Sequence, residues 1–168
     1  MARRRQPPPV IQRTADGYVL NLGVGERELV GRLLGELREL LMGPGDQPML
    51  RRMFPPAYHL SDDAAADAEY QRLMHDDLVA SRLAAINGVT SLLGDQTSDG
   101  ATVLDEAALI GLMQAINALR LVLGTLLDVG EADDPDEIDD DDPLVGEHHL
   151  YGYLSYLLDA SVSALTEA

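Results

Sequence analysis

The sequence predicts a mainly α protein: a helical bundle of about four principal helices carrying a short N-terminal β-hairpin. Leucines and other apolar residues recur every three or four positions through four long stretches, the spacing that places side chains on one helix face. Glycine, proline and aspartate collect between those stretches, where helices start and stop. Two β-prone segments near the start flank Asp16-Gly17, a pair suited to a tight turn.

Residues 1–9, with Arg3-Arg4-Arg5 and then Pro7-Pro8-Pro9, cannot propagate a helix and read as a flexible cationic tail. Val10 to Arg13 and Tyr18 to Leu22 form the hairpin, which needs the helices beneath it because two strands alone are marginally stable. The first helix runs from Gly25 to Met42 along Leu29, Leu33, Leu37 and Leu40/Leu41, with Val30 and Leu34 widening the stripe and Arg27, Arg32, Glu36 and Arg38 mostly outside it. Gly43-Pro44-Gly45 ends it.

After Pro55-Pro56, Ser61 offers an N-cap, with Asp62 and Asp63 at the positive end of the second helix. Its apolar stripe is Tyr70, Leu73/Met74, Leu78, Leu83, Ile86, Val89/Thr90 and Leu93, ending at Gly94 before a polar loop. Asp105 caps a third helix that is apolar on more than one face and is therefore the central one. An acidic segment at about 130–142 then leads to a last helix from Pro143 to Leu165. Residues 10–168 thus read as one helical domain, a size compatible with one core.

The formal net charge of −17 argues against indiscriminate binding to nucleic acid or an anionic membrane. Nine of the twelve residues from 131 to 142 are acidic, which leaves about −8 for the rest and room for a local basic face. All twelve basic residues are arginine. With no cysteine there is no disulfide, thiolate nucleophile or cysteine-held zinc. No apolar run approaches the roughly 20 residues that cross a bilayer, and the start lacks a signal core, so a cytoplasmic protein without a membrane role is expected.

Catalytic and metal motifs fail on spacing. The aspartate-rich segment lacks the calcium-loop pattern and reads as a solvated linker. His148 and His149 are adjacent and so diverge by about 100° on a helix, unlike the pairs that hold zinc. His75 beside Asp76 and Asp77 could be an acid/base trio but reads better as a solvated face, and His59 near Ser61 has no third member in reach. No phosphate loop, nucleophile elbow or zinc-protease motif is present. The expectation is a non-enzyme with no cofactor and no metal.

The segment Leu50 to Tyr58 is more suggestive, because Arg51 and Arg52 meet Phe54 and Tyr58 in a proline-stiffened loop. Such a surface can grip an acidic helix or a phosphate through the arginine forks. Alternatively, the aromatics plug the bundle and the arginines pair with acids of the second helix. Arg72 and Arg82 lie on that helix, and together with Arg51, Arg52, Phe54 and Tyr58 make up the candidate partner-binding set. The spacing also allows Arg120 to bridge to Asp76 or Asp77. Tyr151, Tyr153 and Tyr156 form an aromatic stripe that reads as core rim or as the interface of a homodimer.

The order and spacing of Leu50 to Tyr58, Asp62-Asp63, Tyr70-Gln71-Arg72-Leu73, Asp76-Asp77-Leu78, Ser81-Arg82-Leu83-Ala84 and Asn117 to Gly124, followed by the tyrosine-rich last helix, resemble an actinobacterial family catalogued as domain of unknown function 2017. That family includes AosR-like regulators, which act with a stress sigma factor, and its genes commonly neighbour one for a ClpS-type protease adaptor. The resemblance implies a transcriptional or proteostatic accessory. The redox-sensing member uses a cysteine pair with three intervening residues, whereas this chain has no cysteine, so thiol sensing does not carry over. The expected function is protein binding, with a sigma factor or RNA polymerase as partner. Direct DNA binding is the alternative, disfavoured by net charge, and a link to a ClpS-type adaptor is another.

Overall fold

The computed structural model describes residues 7–44, 47–55, 64–94, 100–130 and 141–166. Two short strands, β1 (Ile11–Thr14) and β2 (Gly17–Leu20), are followed by α1 (Val24–Met42), a single 3-10 turn (Pro48–Leu50) and α2 (Ala64–Gly94). A third strand, β3 (Thr102–Leu104), precedes α3 (Glu106–Leu126) and α4 (Val145–Thr166). The four helices are those the periodicity predicts. The hairpin is present, but it belongs to a three-stranded antiparallel sheet of order β1-β2-β3.

Tyr18 lies opposite Leu104, and Leu20 opposite Thr102. Thr102-Val103-Leu104 is too short to signal a strand by alternation, and it pairs because β2 offers it a ladder. The turn falls one residue earlier than Asp16-Gly17 suggests, since Thr14 and Gly17 form the last pair. Gly17 is needed where it stands. Its φ is +138°, and a Cβ there would lie 2.6 Å from the Leu104 carbonyl oxygen. Asn21 extends the ladder past β2 by donating its backbone N–H to the Val10 carbonyl and its side-chain amide to that of Pro9.

In α1 the buried positions are Arg27, Val30, Leu34, Leu37 and Leu41, a three-four repeat on the Val30 and Leu34 side of the expected stripe, with Leu29 and Leu33 only partly buried. Arg27 therefore belongs to the buried face, a correction to its expected solvent position. It is only 4% exposed. Its guanidinium donates to the carbonyls of Leu22 (3.0 Å) and Gly100 (2.6 Å) and to the Thr102 hydroxyl (2.7 Å), tying α1 to the sheet. Glu26, one residue before, accepts the Gly23 N–H at 2.8 Å and the Tyr153 hydroxyl at 2.8 Å, which fastens α4 to the start of α1.

α3 packs most extensively against α4 and then α2, as the central helix should. The Asp105 carboxylate accepts the Ala108 N–H at 2.7 Å and caps it as expected. By length and composition α3 could cross a bilayer, with a mean hydropathy of 1.6 over its best window, which corrects the expectation that no apolar run is long enough. Here its buried residues, Leu109, Leu112, Ala115, Ile116, Ala118 and Leu119, join one core cluster with Leu34, Ile86, Val89, Leu104, Leu154 and Leu157. A leucine buried as completely as Leu34, Leu109 or Leu154 contributes about 2 kcal/mol.

Several sequence expectations fall wholly or partly outside the described residues, among them the Arg3-Arg4-Arg5 tail, the Ser61 cap with Asp62 and Asp63, the polar loop after Gly94 and the acidic segment from 131 to 140. The Asp142 carboxylate accepts the Leu144 N–H at 2.7 Å, and its carbonyl accepts the Val145 N–H, so Asp142 starts α4.

Candidate interaction surface

The arginine-aromatic loop begins with Leu50 and Met53, both buried, which pin the chain beside α3. With these anchors inside, Arg51 and Arg52 turn towards the C-terminal end of α3. There the Val129 N–H reaches the Gly124 carbonyl and the Asp128 N–H that of Thr125, with Asp128 left-handed at φ 52°. This is the helix-ending motif that glycine usually completes. Arg52 donates to the Val129 carbonyl at 2.8 Å, and Arg51 pairs with the Asp128 carboxylate at 3.3 Å. Both cations thus sit at the negative end of a helix dipole. Among the described residues, the partners of Arg51 and Arg52 lie at the end of α3, and no pairing with acids of the second helix is seen; Asp62 and Asp63 lie outside the described residues.

Phe54 packs its ring against His75 of α2, with centroids 5.1 Å apart. This contact accounts for His75, which faces the loop while Asp76 and Asp77 are exposed. Arg72 makes two hydrogen bonds to Glu69 on its own helix, at 3.2 and 2.8 Å, and the Glu69 carboxylate raises the arginine's pKa. Arg82 is half-buried and carries no hydrogen bond or ion pair among the described residues. Tyr58 and His59 lie outside the described residues. Among the described residues the candidate set does not converge: Arg51 and Arg52 clamp α3, Phe54 touches α2, and Arg72 pairs locally.

Arg120 does not reach Asp76 or Asp77. It donates to the Ser155 hydroxyl at 2.9 Å and lies 5.1 Å from the centre of the Tyr151 ring, because residue 120 faces α4. Gly124 makes room beside it, since a Cβ there would come within 3.3 Å of Tyr151 and 3.0 Å of Arg52. The tyrosine stripe separates into three roles. Tyr151 packs with Arg120, Tyr153 binds Glu26, and Tyr156 is exposed. Burial and the Glu26 carboxylate push the Tyr153 pKa well above that of free tyrosine.

Among the described residues no group of three or more His, Asp or Glu is placed to hold a metal ion. His148 Nε2 is 3.8 Å from the Asp142 carboxylate, while His149 is exposed. A shallow cavity of about 340 Å³ lies at the start of α1, between Pro8, Asn21, Val24, Arg27 and Ala101. Its one charged wall, Arg27, is already bonded to backbone and hydroxyl oxygens.

The surface that sequence reading missed is on α2. Only Ile86, Val89 and Leu93 of its expected stripe are buried. Tyr70, Leu73 and Met74 are 39%, 60% and 36% exposed, the one place among the described residues where three large apolar side chains stand out on adjacent turns. At 100° per residue, Tyr70, Leu73, Asp77, Ala80 and Ala84 recur at three-four spacing on the side opposite Ile86, Val89 and Leu93, and all are exposed. Two apolar seams on one helix read in sequence as a single broad stripe.

A family model described as Domain of unknown function (DUF2017) matches residues 4–165. No curated protein and no solved structure matches the chain.

Proposed function

The chain belongs to the DUF2017 family, and from that premise we propose that it is a non-enzymatic regulatory protein that acts through protein–protein contacts. The observation that carries this reading is the outward face of α2, where Tyr70, Leu73 and Met74 stand in solvent on a helix whose other side supplies the core. Exposed apolar side chains grouped on one element mark a surface that another macromolecule covers.

The partner class we favour is the transcription machinery, a sigma factor or RNA polymerase, in an actinobacterium. Its support is the resemblance to AosR-like regulators. With no cysteine, regulation by this chain is independent of thiol oxidation. The distribution of positive charge speaks against direct DNA binding. Arg13, Arg32 and Arg82, the described arginines without a bond, lie on β1, α1 and α2. Arg27 is buried, and Arg38, Arg51, Arg52, Arg72 and Arg120 are engaged within the protein. A DNA-facing surface needs such cations gathered on one face.

Affinity capture from a lysate at low salt tests the reading. The wild-type chain is expected to enrich RNA polymerase or a sigma factor, and a Leu73→Glu/Met74→Glu variant of equal helicity to enrich it at least several-fold less. Recovery of no transcription component by the wild-type chain refutes the partner assignment.

A further inference from the structure

We propose that the outward face of α2 around Tyr70, Leu73 and Met74 receives a basic amphipathic helix of a partner protein; this rests on the protein-binding reading above and names the chemistry of the partner. The face is a regular helical ridge. From Ala66 to Ala84 it extends about 27 Å at 1.5 Å per residue, and its three-four spacing is the pattern into which the side chains of a second helix fit. Tyr70, Leu73 and Met74 supply the large apolar contacts, and the small residues Ala80 and Ala84 let the partner approach closely towards the other end.

Charge selects the occupant. Asp77 lies in the middle of the apolar seam and Asp76 beside it, and both are exposed without a hydrogen bond or ion pair among the described residues. The Glu69 carboxylate is already taken by Arg72. Covering Asp77 with an apolar or acidic helix strips water from its carboxylate and supplies no partner in return. A helix with lysine or arginine beside its apolar stripe supplies the missing partners. A second copy of this chain does not, because it brings another Asp77 to the interface and a net charge of −17. The same acids repel nucleic acid and anionic lipid.

Two synthetic helical peptides test the proposal. They share leucines at i, i+3, i+7 and i+10; one carries lysines and the other glutamates on the flanking positions. Binding to the full chain is read by fluorescence anisotropy at near-physiological salt. The lysine peptide is expected to bind, and the glutamate peptide not. Asp76→Lys/Asp77→Lys should weaken the lysine peptide about tenfold or more and admit the glutamate peptide. Leu73→Ser/Met74→Ser should weaken the lysine peptide similarly. Reversing exposed acids on α1, Glu36→Lys/Glu39→Lys, should leave its affinity within about twofold, which separates a docked helix from diffuse attraction to an acidic protein.

Equal binding of the two peptides, no binding of either, or equal loss on reversal at α1 and α2 each overturns the inference. Sedimentation showing a dimer that Leu73→Glu dissolves assigns the face to a second copy and also overturns it. If the lysate partner survives Leu73→Glu/Met74→Glu, this site fails while the protein-binding function stands. Should the chain capture no partner at all, the broader reading falls as well.

Discussion

Arg27 shows how one side chain can join elements that the sequence leaves unconnected. Its positive charge is buried among carbonyl and hydroxyl oxygens of the β2 end and the β3 approach, with no ion pair among the described residues. Arg27→Met would remove the donor that these buried oxygens share, and is expected to lower unfolding free energy by about 3 kcal/mol, measured by urea denaturation. Gly17→Ala is expected to cost about 2 kcal/mol by the same assay, because residue 17 combines positive φ with a carbonyl 2.6 Å from any Cβ. Tyr153 gives a signature in pH. Its folded-state pKa is raised above the unfolded value by burial and Glu26, so its stabilising contribution is complete below about pH 10 and is lost as pH rises through the folded-state value. Stability should therefore fall more steeply above about pH 10 in the wild-type chain than in Tyr153→Phe, which also loses about 1 kcal/mol of hydrogen bonding at neutral pH. Neither Arg27 nor Glu26 was legible as a tether, since the partners that join separate elements, Gly100 and Thr102 for Arg27 and Tyr153 for Glu26, lie far away in sequence.

At the scale of elements, helix existence was legible where an apolar repeat had a clear cap, as in α3 after Asp105. Which face a helix buries was less so. In α1 a buried arginine occupies one position of the stripe, and in α2 the apolar residues surround the helix, so periodicity alone could not separate core seam from outer seam. The loop of Arg51 and Arg52 stands out in the sequence, but what it touches depends on where the end of α3 lies in space. That end makes a prediction in which two effects oppose each other. Asp128→Gly relieves a left-handed non-glycine residue, worth about 1 kcal/mol, and forfeits an ion pair whose side chains are 59% and 87% exposed. An exposed pair contributes less than about 1 kcal/mol, so the substitution is expected to raise stability by a few tenths of a kcal/mol. A fall in stability would show that the arginine clamp outweighs backbone strain.

For the whole molecule, the four helices and the sheet enclose one buried cluster, and the long part of α2 that precedes Ile86 contributes little to it. Substitutions at Leu73 or Met74 should thus leave the thermal midpoint within about 2 °C while changing what the chain binds, the reverse of the behaviour expected at Leu34 or Leu154. The acidic balance fits the same division, because the exposed acids of α2 frame an apolar strip that a basic partner can cover. Site-specific photo-cross-linking tests this most directly. A photoreactive amino acid is placed at position 73 of the full chain in cells, and a control at position 36 on the charged face of α1. The account predicts a discrete adduct with a sigma factor or RNA polymerase from position 73 and none from position 36; equal adducts from both, or none from position 73 while the partner is still captured, would contradict it.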